Sequence, residues 1–266
     1  MNRIDRKFSD LKAKGKKAFI AFVTAGDPSL AATERIVRTL ASSGADIIEL
    51  GVPFSDPLAD GPVIQAASER SLKKKTNIHG IFDTVKKIRR NSEIPILLMT
   101  YYNPVFHYGV KKFFEDCSLF GVDGLIVPDL PVEESKEIYA YAKESGIANV
   151  FLAAPTSTSD RLKRIADTSR GFIYYVALTG VTGSSKGSLD DIGHKVRTIK
   201  GMTDKPVAVG FGVSHPEEAR QIAKVADGVI IGSAIVKLIA QAGISEDAML
   251  KLVGNFAKKA AEAIHG

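Results

Sequence analysis

"SSGADIIEL", residues 42–50, runs from a turn of small residues through an aspartate into a short aliphatic stretch. The same order returns in "LFGVDGLIV" at 119–127 and in "KVADGVIIG" at 224–232. Each reads as a Gly/Asp turn feeding a strand, a weak internal repeat of roughly 30 residues, the size of one βα unit. Working outward from these junctions, further aliphatic runs stand at the same rhythm. They are "FIAFVT" (19–24), "DIIEL" (46–50), "IPILLMTY" (94–101) and "GLIVPD" (124–129). They continue as "NVFLAAP" (149–155), "FIYYVAL" (172–178), "PVAVGFG" (206–212) and "GVIIGS" (228–233). None alternates, and all are rich in β-branched residues, as strands covered on both faces must be.

Amphipathic stretches separate the runs. In "VEESKEIYAYAKESG" (132–146), Val132, Ile138 and Ala142 share a side, and Gly146 is placed to stop the helix. About eight such units argue for a closed (β/α)8 TIM barrel over an open doubly wound sheet. The expectation is an α/β fold in a single domain over 1–266. A leading helix at about residues 2–14 should cover the bottom of the barrel, and short extra helices should follow strands 2 and 8.

Composition excludes several classes. The N-terminus has no apolar h-region of a secretory signal. The longest apolar run stops at Lys237, short of a membrane span. The lone cysteine, Cys117, cannot form an internal disulfide, which suits a reducing cytoplasm, and its helix-spaced apolar neighbours mark it as a small buried hydrophobe. The net charge of +6 comes from scattered groups such as Lys73 to Lys75, Lys86, Lys87, Arg89, Arg90, Lys258 and Lys259. These read as solvated helix faces, with no aromatic stacking motif beside them, so no nucleic-acid partner is expected. The five histidines are scattered without metal-ligand spacing, so no metal site is expected. No lysine ends a strand run, which leaves a Schiff-base aldolase without its nucleophile.

In a barrel of this kind the chemistry sits at the C-terminal ends of the strands and in the loops after them. Glu49 interrupts the second run there. Alternation pairs it with Ile47, so if Ile48 and Leu50 face the helices, Glu49 points into the barrel mouth. Burial there would raise its pKa toward a value useful for proton transfer. The competing reading is a strand-end glutamate paired with a basic neighbour. Asp60 lies just beyond, in a loop stiffened by Pro53, Pro57 and Pro62. It is either a positioned carboxylate or the N-cap of the helix that opens with Gly61 and Pro62.

At the far end of the chain, "VGFGVSHPEEA" (209–219) and "VIIGSAIVKL" (229–238) lead strands seven and eight through glycine turns into helices. Glycines admit an anion close to backbone N–H groups at a helix start, and loops seven and eight of such barrels commonly hold phosphate. "LTGVTGSSKGS" (178–188) reads either as a lid that closes over a ligand or as a disordered loop with no role. Two acids facing a phosphate anchor are equipment for metal-free acid–base chemistry on a phosphorylated substrate.

"ELGVPFSDPLADGPVIQ" (49–65), with "FVTAGDP" (22–28), "GVDGLIVPDLPVEES" (121–135) and "LTGVTG" (178–183), resembles the tryptophan synthase α family over nearly the whole chain. The resemblance implies retro-aldol cleavage of indole-3-glycerol phosphate to indole and glyceraldehyde 3-phosphate. It implies that Glu49 shuttles protons, that Asp60 holds the indole N–H, and that Tyr174 stands near the glutamate, with Tyr175 as its competitor. It places Thr182 on the lid against the aspartate and the phosphate on Gly183, Gly212, Gly232 and Ser233. Phe22, Met99, Ile126, Leu152 and Phe211 would wall the indole. Pro53, Phe54, Asp56 and Pro57 would meet a β subunit in an α2β2 complex. The β partner would carry pyridoxal phosphate, this chain needing no cofactor. The alternatives are a free-standing lyase that releases indole and an allosteric barrel partner with weak catalysis.

Overall fold

A computed structural model describes residues 2–177, 189–210, 212–241 and 245–266. Among them nine parallel strand segments form one sheet. These are β1 (Ala18–Thr24), β2 (Ile47–Gly51), β3 (Ile96–Met99), β4 (Gly124–Ile126), β5 (Ala148–Val150), β6 (Leu152–Ala153), β7 (Ile173–Val176), β8 (Val207–Gly210) and β9 (Gly228–Ile231). Their spatial order, β5-β4-β3-β2-β1-β9-β8-β7-β6, brings the two ends of the sheet to consecutive segments of the chain. β5 pairs with β4 and β6 with β7. The two are therefore one stave broken at Phe151, whose carbonyl accepts the Tyr174 amide at 3.1 Å. Counted so, eight staves close a barrel.

The helices are α1 (Arg3–Ala13), α2 (Leu30–Ser42), α3 (Pro62–Lys73), α4 (Ile78–Arg89), α5 (Tyr102–Tyr108) and α6 (Val110–Phe120). After them come α7 (Lys136–Glu144), α8 (Ser159–Thr168), α9 (Leu189–Lys200), α10 (Pro216–Ala223), α11 (Ser233–Ile239) and α12 (Glu246–His265). The extra helices expected after the second and eighth staves are α3 and α11. A third, α5, follows β3 without a counterpart in the sequence pattern. The stretch expected as one helix from Val132 begins with a 3-10 turn, Val132–Glu134, before α7. Gly146 ends it in a left-handed conformation (φ 71°).

Two cores follow from strand parity. Phe19, Ala21, Val23, Ile48, Leu50, Ile96 and Leu98 face outward and pack under the helices, with Cys117 buried among them. Ile20, Ile47, Leu97, Phe172, Ala208 and Ile230 face inward. α1 closes the bottom of this interior with Ile4, Phe8 and Leu11, and the Phe8 ring lies 5.6 Å from that of Phe172.

The repeated Gly/Asp turn has a structural purpose at this floor. Asp46, Asp123 and Asp227 each precede a strand and accept, through a side-chain oxygen, the amide of Phe19, Ile96 or Val207 on the neighbouring stave, at 2.8–3.0 Å. Each returns a backbone bond to the same residue. Basic side chains surround all three: His265 and Lys7 at Asp46, Arg89 and Arg3 at Asp123, Lys200 and Lys17 at Asp227. Arg89 thereby departs from the solvated-face reading. Its guanidinium is largely buried, ion-paired to Asp123 at 2.6 Å and donating to three carbonyls. The other groups of that basic set, Lys73 to Lys75, Lys86, Lys87, Arg90, Lys258 and Lys259, are exposed. No helix of the described residues is long and apolar enough to cross a membrane.

Candidate active site

The mouth of the barrel holds a cavity of about 870 Å³, within the range of small-molecule sites. Phe22 from β1, Glu49 from β2, Met99 from β3, Tyr174 from β7 and Gly210 from β8 border it. Asp60, Leu152, Gly212, Gly232 and Ser233 complete the rim. Ile126 does not reach it. β4 is so short that Val127 and Pro128 form this wall, and Ile126 lies fully buried in the interior core beneath. Thr182, Gly183, Phe211 and the stretch 178–188 expected as a lid lie outside the described residues.

Glu49 stands in register between Phe22 and Leu97, fully buried. Neither carboxylate oxygen is hydrogen-bonded to a described residue. The strand-end ion pair considered as its alternative is not made with any described residue. Loss of solvent first, and the Asp60 carboxylate second, push its pKa up to about 8. An acid held this way prefers to keep its proton, because nothing around it compensates an ionised form.

Asp60 is positioned by its loop, with its amide donating to Pro57 O at 3.0 Å. The Tyr101 hydroxyl accepts the Ala59 amide at 2.9 Å, which holds it beside the Asp60 carboxyl. Burial raises the Asp60 pKa to about 6, and the Tyr101 hydroxyl pulls against that rise. Asp60 is not an N-cap: Gly61 caps α3, without a side-chain bond, and Pro62 opens the helix. Tyr101 escapes the sequence reading, although it ends the third aliphatic run, where a polar group is informative.

Strand parity separates the tyrosine pair. Tyr174 points inward, where burial first, and the Glu49 and Asp60 carboxyls after it, hold its phenol protonated, while Tyr175 packs in the outer core near Asp191. Gly210 makes the room: a Cβ there would lie 2.9 Å from the Tyr174 hydroxyl oxygen. Gly51 likewise clears the Phe22 ring, with a Cβ contact that would be 2.6 Å.

On the opposite rim, Gly212 adopts a left-handed conformation (φ 65°) with open space around it. Gly232 is the N-cap of α11 and makes no side-chain cap bond, so the first amides of Ser233 onward remain available. The start of α10 is different, since Glu218 already takes the amides of Ser214 and His215. Of the loop after β2, Pro53 is buried and Phe54 is half-buried, its ring 5.2 Å from that of Tyr101. Pro57 is half-buried, Asp56 is exposed, and Leu58 is 93% exposed.

With this geometry in hand, residues 8–265 match the family profile described as Tryptophan synthase alpha chain. The chain is 52% identical over 256 residues to the tryptophan synthase alpha chain of Caldanaerobacter subterraneus subsp. tengcongensis, covering 96% of this chain and 97% of that one. It is 50% identical over 238 residues to that of Geobacter sulfurreducens, covering 90% of each. Among solved structures, the tryptophan synthase subunit alpha of Legionella pneumophila str. Paris superposes with a TM-score of 0.92 at 36% identity, covering 99% of this chain and 98% of that one. Tryptophan synthase of M. tuberculosis in its aminoacrylate-bound form gives a TM-score of 0.89 at 33% identity, covering 100% of both chains.

Proposed function

The chain belongs to the tryptophan synthase alpha chain family, and from that premise we propose how its two acids divide the reaction. The activity is that of a carbon–carbon lyase, the cleavage of indole-3-glycerol phosphate to indole and glyceraldehyde 3-phosphate. The α chain of this family needs no cofactor; pyridoxal phosphate resides in the β subunit with which it works.

The reading rests on one observation: Glu49 is fully buried with neither oxygen bonded to a described residue, while Asp60 stands half-buried in the loop at the cavity rim. With values of about 8 and about 6, Glu49 is mainly the acid and Asp60 mainly the carboxylate. Neutral Glu49 gives its proton to indole C3 while Asp60 takes the ring N–H proton, which forms the indolenine tautomer. The Glu49 carboxylate so produced removes the proton of the glycerol hydroxyl next to the ring. The carbon–carbon bond breaks, its electron pair passes into the ring toward nitrogen, and the aldehyde leaves. Nitrogen recovers its proton from Asp60, and both acids return to their starting states. Tyr174, kept protonated, borders the Glu49 end of the path.

Phe22, Met99 and Leu152 give the indole an apolar wall, and Gly212, Gly232 and Ser233 offer amides to the phosphate. The exposed Asp56 and Leu58, beside Pro53, Phe54 and Pro57, form the surface offered to the β subunit. Burial of the single cysteine suits a cytoplasmic enzyme. The test is the pH profile of kcat/KM for indoleglycerol phosphate cleavage. It should be bell-shaped, with an acid limb set by Asp60 near 6 and a basic limb set by Glu49 near 8. A profile flat across that window would overturn the division of roles.

A further inference from the structure

Behind the cavity wall lies a second, much smaller space. Thr24, Gly51, Asp60, Ser68, Met99 and Tyr101 border a side chamber of about 10 Å³. A single water molecule needs about that much room, together with two to four polar partners. Thr24 ends the inward-facing row of β1 that begins with Ile20 and Phe22, and its register partner is Gly51, which has no side chain to fill the space. Thr24 is 3% exposed, and its hydroxyl hydrogen-bonds to no described group. An orphaned hydroxyl at such a site costs roughly 1–3 kcal/mol unless something else satisfies it. Its side-chain methyl would pack as well in valine, so packing alone does not account for the oxygen.

We propose that the chamber binds one ordered water joining the Thr24 hydroxyl to the Asp60 carboxylate, which makes Thr24 a positioning residue for Asp60. The Ser68 hydroxyl, on α3, supplies a further partner. The inference rests on the reading of Asp60 as the group that takes the indole N–H proton. A carboxylate has about four acceptor sites. With the Tyr101 hydroxyl beside the carboxylate on the same chamber and the water donating to one of its oxygens, the plane of the carboxylate is fixed and an oxygen is left facing the cavity. Both groups favour the ionised state that the reaction needs. The other titratable groups near Asp60 are Glu49 on β2 and Tyr174 on β7, and neither touches the chamber.

The test uses the full chain with its β subunit and compares Thr24→Val, Thr24→Ser and Asp60→Asn. Thr24→Val keeps the shape and removes the hydroxyl. It should lower kcat by about tenfold, the scale of one hydrogen bond to a charged group. KM should stay within about twofold, and the acid limb of the pH profile should move to higher pH. Thr24→Ser keeps the hydroxyl and should recover most of the rate. An unmoved acid limb with wild-type kcat in Thr24→Val, or a Ser variant as impaired as the Val variant, would overturn the proposal. Should Thr24→Val fail to fold, a high-resolution crystal structure of the unaltered enzyme decides the matter. Density for a water bonded to Thr24 and Asp60 supports it, and a dry chamber or a direct Thr24–Asp60 bond refutes it. Asp60→Asn separates the two levels: if that variant stays active, the role of Asp60 fails, whatever Thr24 does.

Discussion

The hydroxyl of Tyr101 accepts the Ala59 amide at 2.9 Å, in the segment that carries Asp60, and its polarity beside Asp60 lowers the pKa of that carboxyl. One oxygen thus fixes the backbone of the loop and stabilises the charge of its acid. Tyr101→Phe removes that hydroxyl and leaves the ring tilted against Phe54. Since the Tyr101 hydroxyl lowers the Asp60 pKa, its loss should move the acid limb of the rate profile upward, and kcat should fall by about tenfold. Rate profiles of the two proteins check this, and superimposable acid limbs would count against it.

Glu49→Gln retains shape and loses the proton shuttle. General acid–base catalysis is worth about 10²–10⁴-fold, so indole formation should nearly vanish while substrate binding persists. A variant keeping more than about a tenth of the wild-type turnover would sink the assignment.

The same substitution should stabilise the fold, with a definite sign in pH. The Glu49 value is raised on folding, from 4.5 to about 8. Between those values the unfolded chain has lost a proton that the folded chain keeps, so the wild-type stability falls as pH rises through that window. Glutamine carries no such penalty. Urea unfolding at about pH 5 and about pH 9 should show the variant ahead by a margin that grows to at most a few kcal/mol, a tenfold change in proton affinity being worth about 1.4 kcal/mol. Equal margins at the two pH values would mean that Glu49 keeps an ordinary carboxylate's affinity for its proton.

Ser233→Asp puts a negative charge at the start of α11, where the phosphate is proposed to sit. Repulsion at short range in a partly buried site is worth several kcal/mol. Calorimetric affinity for glycerol phosphate should collapse while circular dichroism stays native. Unchanged binding would move the phosphate elsewhere.

The loop carrying Asp60 also displays Asp56 and Leu58 to solvent. A partner that binds this loop in its competent arrangement shifts the population toward activity, to the extent that it prefers that arrangement. Adding β subunit should raise indole production by at least about tenfold, ~1.4 kcal/mol of coupling. By linkage, glycerol phosphate in the barrel should tighten β binding by the same factor by which β tightens glycerol phosphate. Full activity alone, with indifference to the partner, would favour the free-standing lyase.

Much of this is legible in the chain because strands buried on both faces have to be written as unbroken aliphatic runs. Glu49 is legible for the same reason, as an acid breaking such a run at its far end. Parity, which sends Tyr174 inward and Tyr175 outward, depends on strand phase, and the "YY" doublet carries no mark of it. The break at Phe151 hides inside a uniformly apolar "NVFLAAP". α5 hides behind Pro104, tolerated because it falls in the first turn of the helix. Asp60 keeps two readings open, since a Gly-Pro helix start suits a cap as well as a poised acid. Only the Tyr101 hydroxyl, arriving from another stave, separates them. Arg89 is the reverse case: composition counts it among surface charges, and the Asp123 it grips is distant in sequence.

The three aspartates that hold the floor give the molecule an axis of unequal persistence. The amides of Phe19, Ile96 and Val207 are tied across staves to carboxylates at one end, while those of Leu58 and Asp60 bond only within their own loop, to Asp56 O and Pro57 O, at the other. Deuterium should therefore enter the protein as a tide from the open end, reaching the loop within the first exposure and the three floor amides only when the whole chain unravels.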